Sequence, residues 1–205
     1  MSILDDITRD LDWRESEIAS MRIVLASPGI SSTQKIALLR ASWALLYAHF
    51  EGFCKNTLIT YYDFVSRSGV IVKDLPEASK AFALQNKIKE LRKLPNKELI
   101  LEILNFSTTH LSIPPEFPDI DTQSNLWPHV LIELLEIADL STVKVQEHEL
   151  KLKTLVSRRN KIAHGEHNMI SEISYYKEFE DAVYDVIYDL AYQIEERLSR
   201  APFAA

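Results

Sequence analysis

Residues 41–54 read Ala41-Ser42-Trp43-Ala44-Leu45-Leu46-Tyr47-Ala48-His49-Phe50-Glu51-Gly52-Phe53-Cys54, with only Ser42, His49, Glu51 and Gly52 interrupting apolar or aromatic side chains. A helix that is apolar nearly all round has no solvent face, so it must be central, with other elements packed on several sides. Its ends are also legible. Ser31-Ser32-Thr33-Gln34 offers a capping box, Ser31 paired with Gln34 three residues on, and Gly69 offers a C-terminal stop. The spacing thus predicts one long helix ending near Ser68. At about 100° per residue, Arg40, Tyr47 and Glu51 fall within about 40° of one another, with Cys54 on the same face. Gly52 in mid-helix costs about 1 kcal/mol against Ala, so it marks a kink or a close backbone contact.

Outward from this helix, the pattern stays helical. Ile7, Leu11, Ile18, Met21 and Val24 predict an amphipathic helix from about Leu4 to Ala26, broken by Ser27-Pro28-Gly29. Leu75 to Phe106 reads as two shorter helices divided by Pro95, followed by a loop over Ser112-Ile113-Pro114-Pro115-Glu116-Phe117-Pro118. Asp121-Thr122-Gln123-Ser124 supplies N-cap candidates for a helix through about Ala138, with Pro128 tolerated in its first turn. Another helix is expected from near Val145 towards Gly165, and a last one from Glu172 to Arg200 carrying Tyr184, Tyr188 and Tyr192 at helical spacing. Four glycines in 205 residues, against a usual share of about 7%, are too few for the tight turns of a β-rich fold. No repeat or composition shift divides the chain. The expectation is one all-α domain over residues 1–205, a bundle with its core at about residues 31–200 and the N-terminal helix at about residues 4–26.

Charge and cysteine content exclude several classes. With 23 basic and 30 acidic side chains, net −7, the chain cannot coat nucleic acid by bulk electrostatics, so any such contact must be local. The lone Cys54 excludes an intrachain disulfide and a four-cysteine zinc site. The start Met1-Ser2-Ile3-Leu4-Asp5-Asp6 is acidic where a signal peptide is basic, and no apolar run reaches the roughly 18 residues of a membrane span. A cytoplasmic protein without a membrane partner is expected. Neither His164-Gly165-Glu166-His167 nor Glu147-His148-Glu149 has the spacing of a metal-ligand set, so no metal and no cofactor are expected.

One stretch reverses the overall charge. Lys151, Lys153, Arg158, Arg159 and Lys161 occur from Lys151 to Gly165 without an acid. Inside it lies Arg158-Arg159-Asn160-Lys161-Ile162-Ala163-His164-Gly165. An Arg near a His suits phosphodiester chemistry: guanidinium neutralises charge building on phosphate oxygens, and imidazole moves protons near neutral pH. With a ribose 2′-OH as internal nucleophile, neither metal nor activated water is required. An Arg followed four to six residues later by His arises by chance about once in a chain of this composition, so the weight falls on the longer string Arg-Asn-x-x-Ala-His-Gly. On an ideal helix Arg159 and His164 point about 140° apart, whereas Asn160 and His164 share a face. Arg159 and His164 converge only if the helix ends here or a second chain contributes.

Three segments carry a family likeness: Leu39-Arg40-Ala41-Ser42 with Leu46 to Lys55; Ile120-Asp121-Thr122-Gln123-Ser124-Asn125-Leu126; and Arg159-Asn160-Lys161-Ile162-Ala163-His164-Gly165. On them the chain resembles the HEPN superfamily, and within it prokaryotic HEPN-like nucleases of toxin and defence systems. The resemblance implies an all-α bundle that dimerises and sets two Arg-x4-His motifs across a shared cleft. It implies metal-independent RNA cleavage by attack of the 2′-OH, leaving a cyclic phosphate. Arg159, His164 and Asn160 take the catalytic positions; from the acid-free basic stretch, Arg158, Lys161 and Lys153 are expected to bind the RNA. In members neutralised by a nucleotidyltransferase antitoxin, a Tyr stands two residues after the His; Glu166 stands there in this chain, so that route does not carry over. Any antitoxin or regulator is expected to be a separate protein.

Plainer readings accompany these. Arg159 and His164 could simply satisfy the last carbonyls of a helix. Glu51, with Tyr47, is expected to support Arg159 as a carboxylate partner; the alternative is a pair of Glu51 with Lys55 along the helix. For the whole chain, the alternatives to an endoribonuclease are an inactive RNA- or nucleotide-binding adaptor and a helical dimerisation module.

Overall fold

The computed structural model describes residues 3–167 and 172–203. Of the span 1–205 expected to form one domain, residues 1–2, 168–171 and 204–205 lie outside the described residues. The described residues are helical with no strand. The predicted central helix is α2, Ser32–Arg67; α1 is Ile3–Ala26. Then come α3 (Glu77–Ala83), α4 (Gln85–Leu91), α5 (Asn96–Phe106), α6 (Pro128–Ile137), α7 (Val143–Glu147), α8 (Glu149–Ala163) and α9 (Ile173–Leu198).

Helix α2 is central as expected, packed by α1, α8 and α9. Trp43, Leu46, Tyr47, Phe50, Phe53 and Cys54 are all buried. The capping box forms in both directions: Ser31 Oγ accepts from Gln34 N–H, and Gln34 Oε1 accepts from Ser31 N–H. Gly69 follows the Ser68 cap at φ +83°, a left-handed conformation that suits glycine. Trp43 sits against Phe179 and Tyr176 of α9, with ring centroids 4.6 and 5.9 Å away. One continuous cluster of buried side chains runs from Ile7 to Ile194.

Gly52 marks a close contact. Arg14 of α1 is buried against it, and a Cβ on Gly52 would lie 2.8 Å from Arg14 Nη1. Arg14 donates through Nε and Nη2 to the two oxygens of Asp10, both at 3.1 Å, and its Nη1 lies 3.4 Å from His49 Nδ1. His49 Nε2 lies 2.9 Å from a Glu17 oxygen. Burial lowers the His49 pKa below its ordinary 6.5; Arg14 pushes the same way, while Glu17 and Asp10 oppose.

Three boundaries differ from expectation. Leu75 to Phe106 holds three helices rather than two, because the chain also turns at Leu84, between α3 and α4. Helix α6 starts at Pro128 with Trp127 as N-cap residue, not at residues 121–124. Asp121 instead caps a turn, its Oδ1 accepting from Gln123 N–H at 2.8 Å, and the chain needs residues 123–127 to reach the helix. The helix expected from near Val145 is split at His148 into α7 and α8. His148 Nε2 lies 3.0 Å from Asp185 of α9. Helix α5 buries none of its residues and turns Ile100, Leu101, Ile103 and Leu104 outward, while Glu102 meets His110 at 3.0 Å. Among the described residues no helix is long and apolar enough to cross a membrane.

Two predictions follow from the α1–α2 contact. Ala is the better helix former by about 1 kcal/mol, yet Gly52→Ala is expected to lower the unfolding midpoint, because its methyl displaces a buried guanidinium held by Asp10. In an Arg14→Met background the same change should raise it; equal signs in both backgrounds would show that the contact does not matter. The lowered His49 pKa means that the unfolded state takes up a proton at higher pH than the native state. Its stabilising contribution is therefore present above pH 6.5 and lost as pH falls through the lower native value. Denaturant titrations at pH 7.5 and 5.5 should show a smaller loss for His49→Gln than for the wild type.

Candidate nucleic-acid site on helix α8

Helix α8 follows the sequence to its last turn. It is regular through Ala163, with His164 as the cap residue and Gly165 beyond it at φ +76°. Glu166 N–H donates to Lys161 O at 2.9 Å and Gly165 N–H to Ile162 O at 3.1 Å, the paired bonds of a Schellman ending. The last carbonyls are thus satisfied by backbone. His164 is exposed, and the Arg159 side chain is directed elsewhere, so the plain reading of both as carbonyl partners is not what the chain does.

Arg159 is half-buried and held on three sides. Its Nη1 donates to Oδ1 of Asn125 and to Oδ1 of Asn160, each at 2.9 Å. Its guanidinium carbon lies 4.7 Å from the centroid of the Tyr47 ring. The Tyr47 hydroxyl in turn accepts the Leu126 N–H at 2.8 Å, so the same side chain supports Arg159 by its face and the Asn125 loop by its oxygen. Burial drives the Tyr47 pKa far above its usual value, the Leu126 N–H partly offsets this, and the Glu51 carboxylate pushes it up further. The phenol stays neutral at any physiological pH.

The structure brings Arg159, Asn160 and Tyr47 together and does not bring Glu51 onto Arg159. No ion pair joins Glu51 to Arg159 or to Lys55 among the described residues; the carboxylate acts on the Tyr47 hydroxyl. Arg159 is anchored by amides instead. Of the basic residues expected along an RNA path, Lys161 is exposed, Lys153 pairs with Glu149 at 2.6 Å, and Arg158 is engaged by aromatic rings. Its guanidinium carbon lies 4.7 Å from the Trp43 centroid and 4.8 Å from that of Tyr175, and its Nη2 donates to the Tyr175 hydroxyl at 3.2 Å. On an ideal helix Arg159 and His164 point about 140° apart, and α8 is helical from Arg159 through Ala163, with His164 as its cap residue. Among the described residues no three His, Cys, Asp or Glu side chains gather as a metal-ligand set.

Asn125 is the residue that sequence reasoning missed. It lies in the segment Ile120 to Leu126 that carries the family likeness, just after the cap candidates Asp121 to Ser124; its signal is an amide side chain next to the apolar Leu126 and Trp127, in a polar loop.

The family model described as HEPN_MAE_28990-like HEPN matches residues 3–203. The chain belongs to this HEPN family. No curated protein and no solved structure matches it. Membership of the HEPN superfamily supports a nuclease-type or RNA-related role.

The double duty of Tyr47 is testable without an activity. Tyr47→Phe keeps the ring under Arg159 and strands the buried Leu126 N–H, at a cost of about 1–3 kcal/mol. Tyr47→Leu also removes the ring face, adding about 0.5–2 kcal/mol. Denaturant unfolding should rank wild type above Tyr47→Phe above Tyr47→Leu; equal stabilities would deny the hydroxyl its structural part.

Proposed function

We propose that this HEPN protein is a metal-independent endoribonuclease that cuts RNA by transesterification, acting in the cytoplasm as a toxin or antiviral effector under the control of a separate protein. The observation that carries the reading is the pairing of a fixed guanidinium with a free imidazole on one short stretch. Arg159 is held by Asn125, Asn160 and the Tyr47 ring, and His164, five residues on, is exposed at the end of α8.

In this reading the ribose 2′-oxygen attacks the adjacent phosphorus and the 5′-oxygen of the next nucleotide leaves. The products are a 2′,3′-cyclic phosphate and a 5′-hydroxyl. His164 moves protons between the attacking and leaving oxygens, Arg159 stabilises the charge on the phosphorane oxygens, and Asn160 orients Arg159. Because the nucleophile belongs to the substrate, no metal-activated water enters the balance. Helix geometry sets Arg159 and His164 about 140° apart within one chain, so the reading pairs two chains across a shared cleft, an Arg159 from one meeting a His164 from the other. Lys161 adds attraction for the RNA backbone at the cleft edge.

The purified protein is expected to cleave RNA in EDTA, to leave cyclic phosphate ends, and to spare an oligonucleotide of 2′-deoxy residues. His164→Ala should lower the rate by about 10²–10⁴-fold with an unchanged melting temperature, since the side chain is exposed. Mixing inactive His164→Ala and Arg159→Ala chains should restore part of the activity if the two residues act across a dimer. Salt-sensitive RNA binding without cleavage would make the chain an adaptor; neither binding nor cleavage would overturn both readings.

A further inference from the structure

Arg14, Arg22, Arg67, Arg197 and Arg200 each meet a carboxylate, on Asp10, Glu180, Asp63, Asp139 and Glu196. Arg159 is held otherwise. Its Nη1 gives one N–H to Asn125 and one to Asn160, and its plane lies over a neutral phenol ring. Amide oxygens and a ring face carry partial negative charge, so they fix a guanidinium and leave its unit charge in place; a carboxylate would cancel it. With both Nη1 protons engaged, the Nε and Nη2 donors remain, and among the described residues they have no hydrogen-bond partner. That edge matches two oxygens of one phosphodiester.

Asn160 arrives with Arg159 on α8, but Asn125 must be delivered by the loop before α6. The loop does so through two consecutive left-handed residues that carry side chains, Gln123 at φ 52° and Ser124 at φ 68°. Residues with a Cβ seldom adopt this conformation, and it persists only where the surroundings over-determine it. Here they do on both sides of Asn125. Asp121 Oδ1 holds the Gln123 N–H at 2.8 Å, the Tyr47 hydroxyl holds the Leu126 N–H at 2.8 Å, and Asn125 O accepts the Trp127 N–H at 2.9 Å.

We infer that Asn125 is a positioning residue for Arg159: its neutral amide oxygen fixes Nη1 so that the Nε–Nη2 edge presents an uncancelled charge to one RNA phosphate. The inference rests on the ribonuclease reading and adds to it a residue and a requirement, that the anchor be uncharged. Asn125→Asp is nearly isosteric and places a carboxylate on Arg159, so it separates holding the side chain from preserving its charge.

The experiment measures binding of a 2′-O-methyl RNA oligonucleotide as a function of salt, together with cleavage of the unmodified RNA and melting temperature. The proteins are the full-length wild type, Arg159→Ala, Asn125→Asp and Asn125→Ala. Asn125→Asp is expected to melt at or above the wild-type temperature. It should cut at least tenfold more slowly and lose about 0.7 from the slope of log K against log salt, the share of one single-strand phosphate contact. Arg159→Ala should lose the same slope. Asn125→Ala should keep the slope, since the charge remains, and lose about tenfold in kcat with little change in KM. A merely structural Asn125 would lower the melting temperature in both variants without touching the slope, which overturns the inference. Wild-type slope and rate in Asn125→Asp, with both lost in Arg159→Ala, would also overturn it and leave the ribonuclease reading standing. A wild type that neither binds nor cuts RNA overturns the reading and this inference together.

Discussion

Helix α2 must be covered over most of its circumference, with the side of Ala41 and Ala48 left exposed, and the rest of the fold answers to that constraint. Its 36 residues are apolar nearly all round over the stretch from Trp43 to Cys54, where full burial of each large side chain is worth about 1.5–3 kcal/mol. Helices α1, α8 and α9 supply the cover. Each brings a polar group to the interface, and each such group has to be matched there. Arg14 from α1 takes the space that Gly52 leaves. Arg158 and Arg159 from α8 meet Trp43 and Tyr47. Glu180 of α9 is buried, and Arg22 of α1 reaches it at 3.2 Å.

Much of this was legible because it is local. The capping box at Ser31, the stop at Gly69 and the centrality of α2 each depend on residues close in sequence, where backbone geometry leaves few choices. The long-range polar contacts were not. Gly52 announced a close contact but not its partner, since Arg14 lies on another helix and reads as an ordinary amphipathic position. Asp121 to Ser124 resembled a helix cap because Asp and Ser cap helices and turns by the same hydrogen bond. Only the position of Tyr47, set by tertiary packing, decides that the segment is a loop reaching across to α8. For the same reason Glu51 was the natural partner to assign to Arg159 from charge alone, whereas the site uses amides.

The fate of α5 shows the limit of pattern reading from the other side. Ile100, Leu101, Ile103 and Leu104 have the spacing of a core-facing helix, yet they face outward while Glu102 turns towards His110. Periodicity identifies a helix with an apolar face; it does not say what that face meets.

Arg158 and Arg159 are adjacent in sequence and about 100° apart on α8, and Trp43 and Tyr47 are one turn apart on α2. The two pairs interlock: each aromatic face takes one guanidinium, and so the register of α8 on α2 is set by two cation–π contacts worth about 0.5–2 kcal/mol each. A pair of buried carboxylates could have set the same register, at the cost of desolvating two more charges and cancelling both cations. The aromatic solution keeps the cations charged. In a chain whose net charge is −7, this is how part of one stretch can stay basic: Lys153 is paired with Glu149, but the side chains that hold Arg158 and Arg159 in place carry no charge of their own.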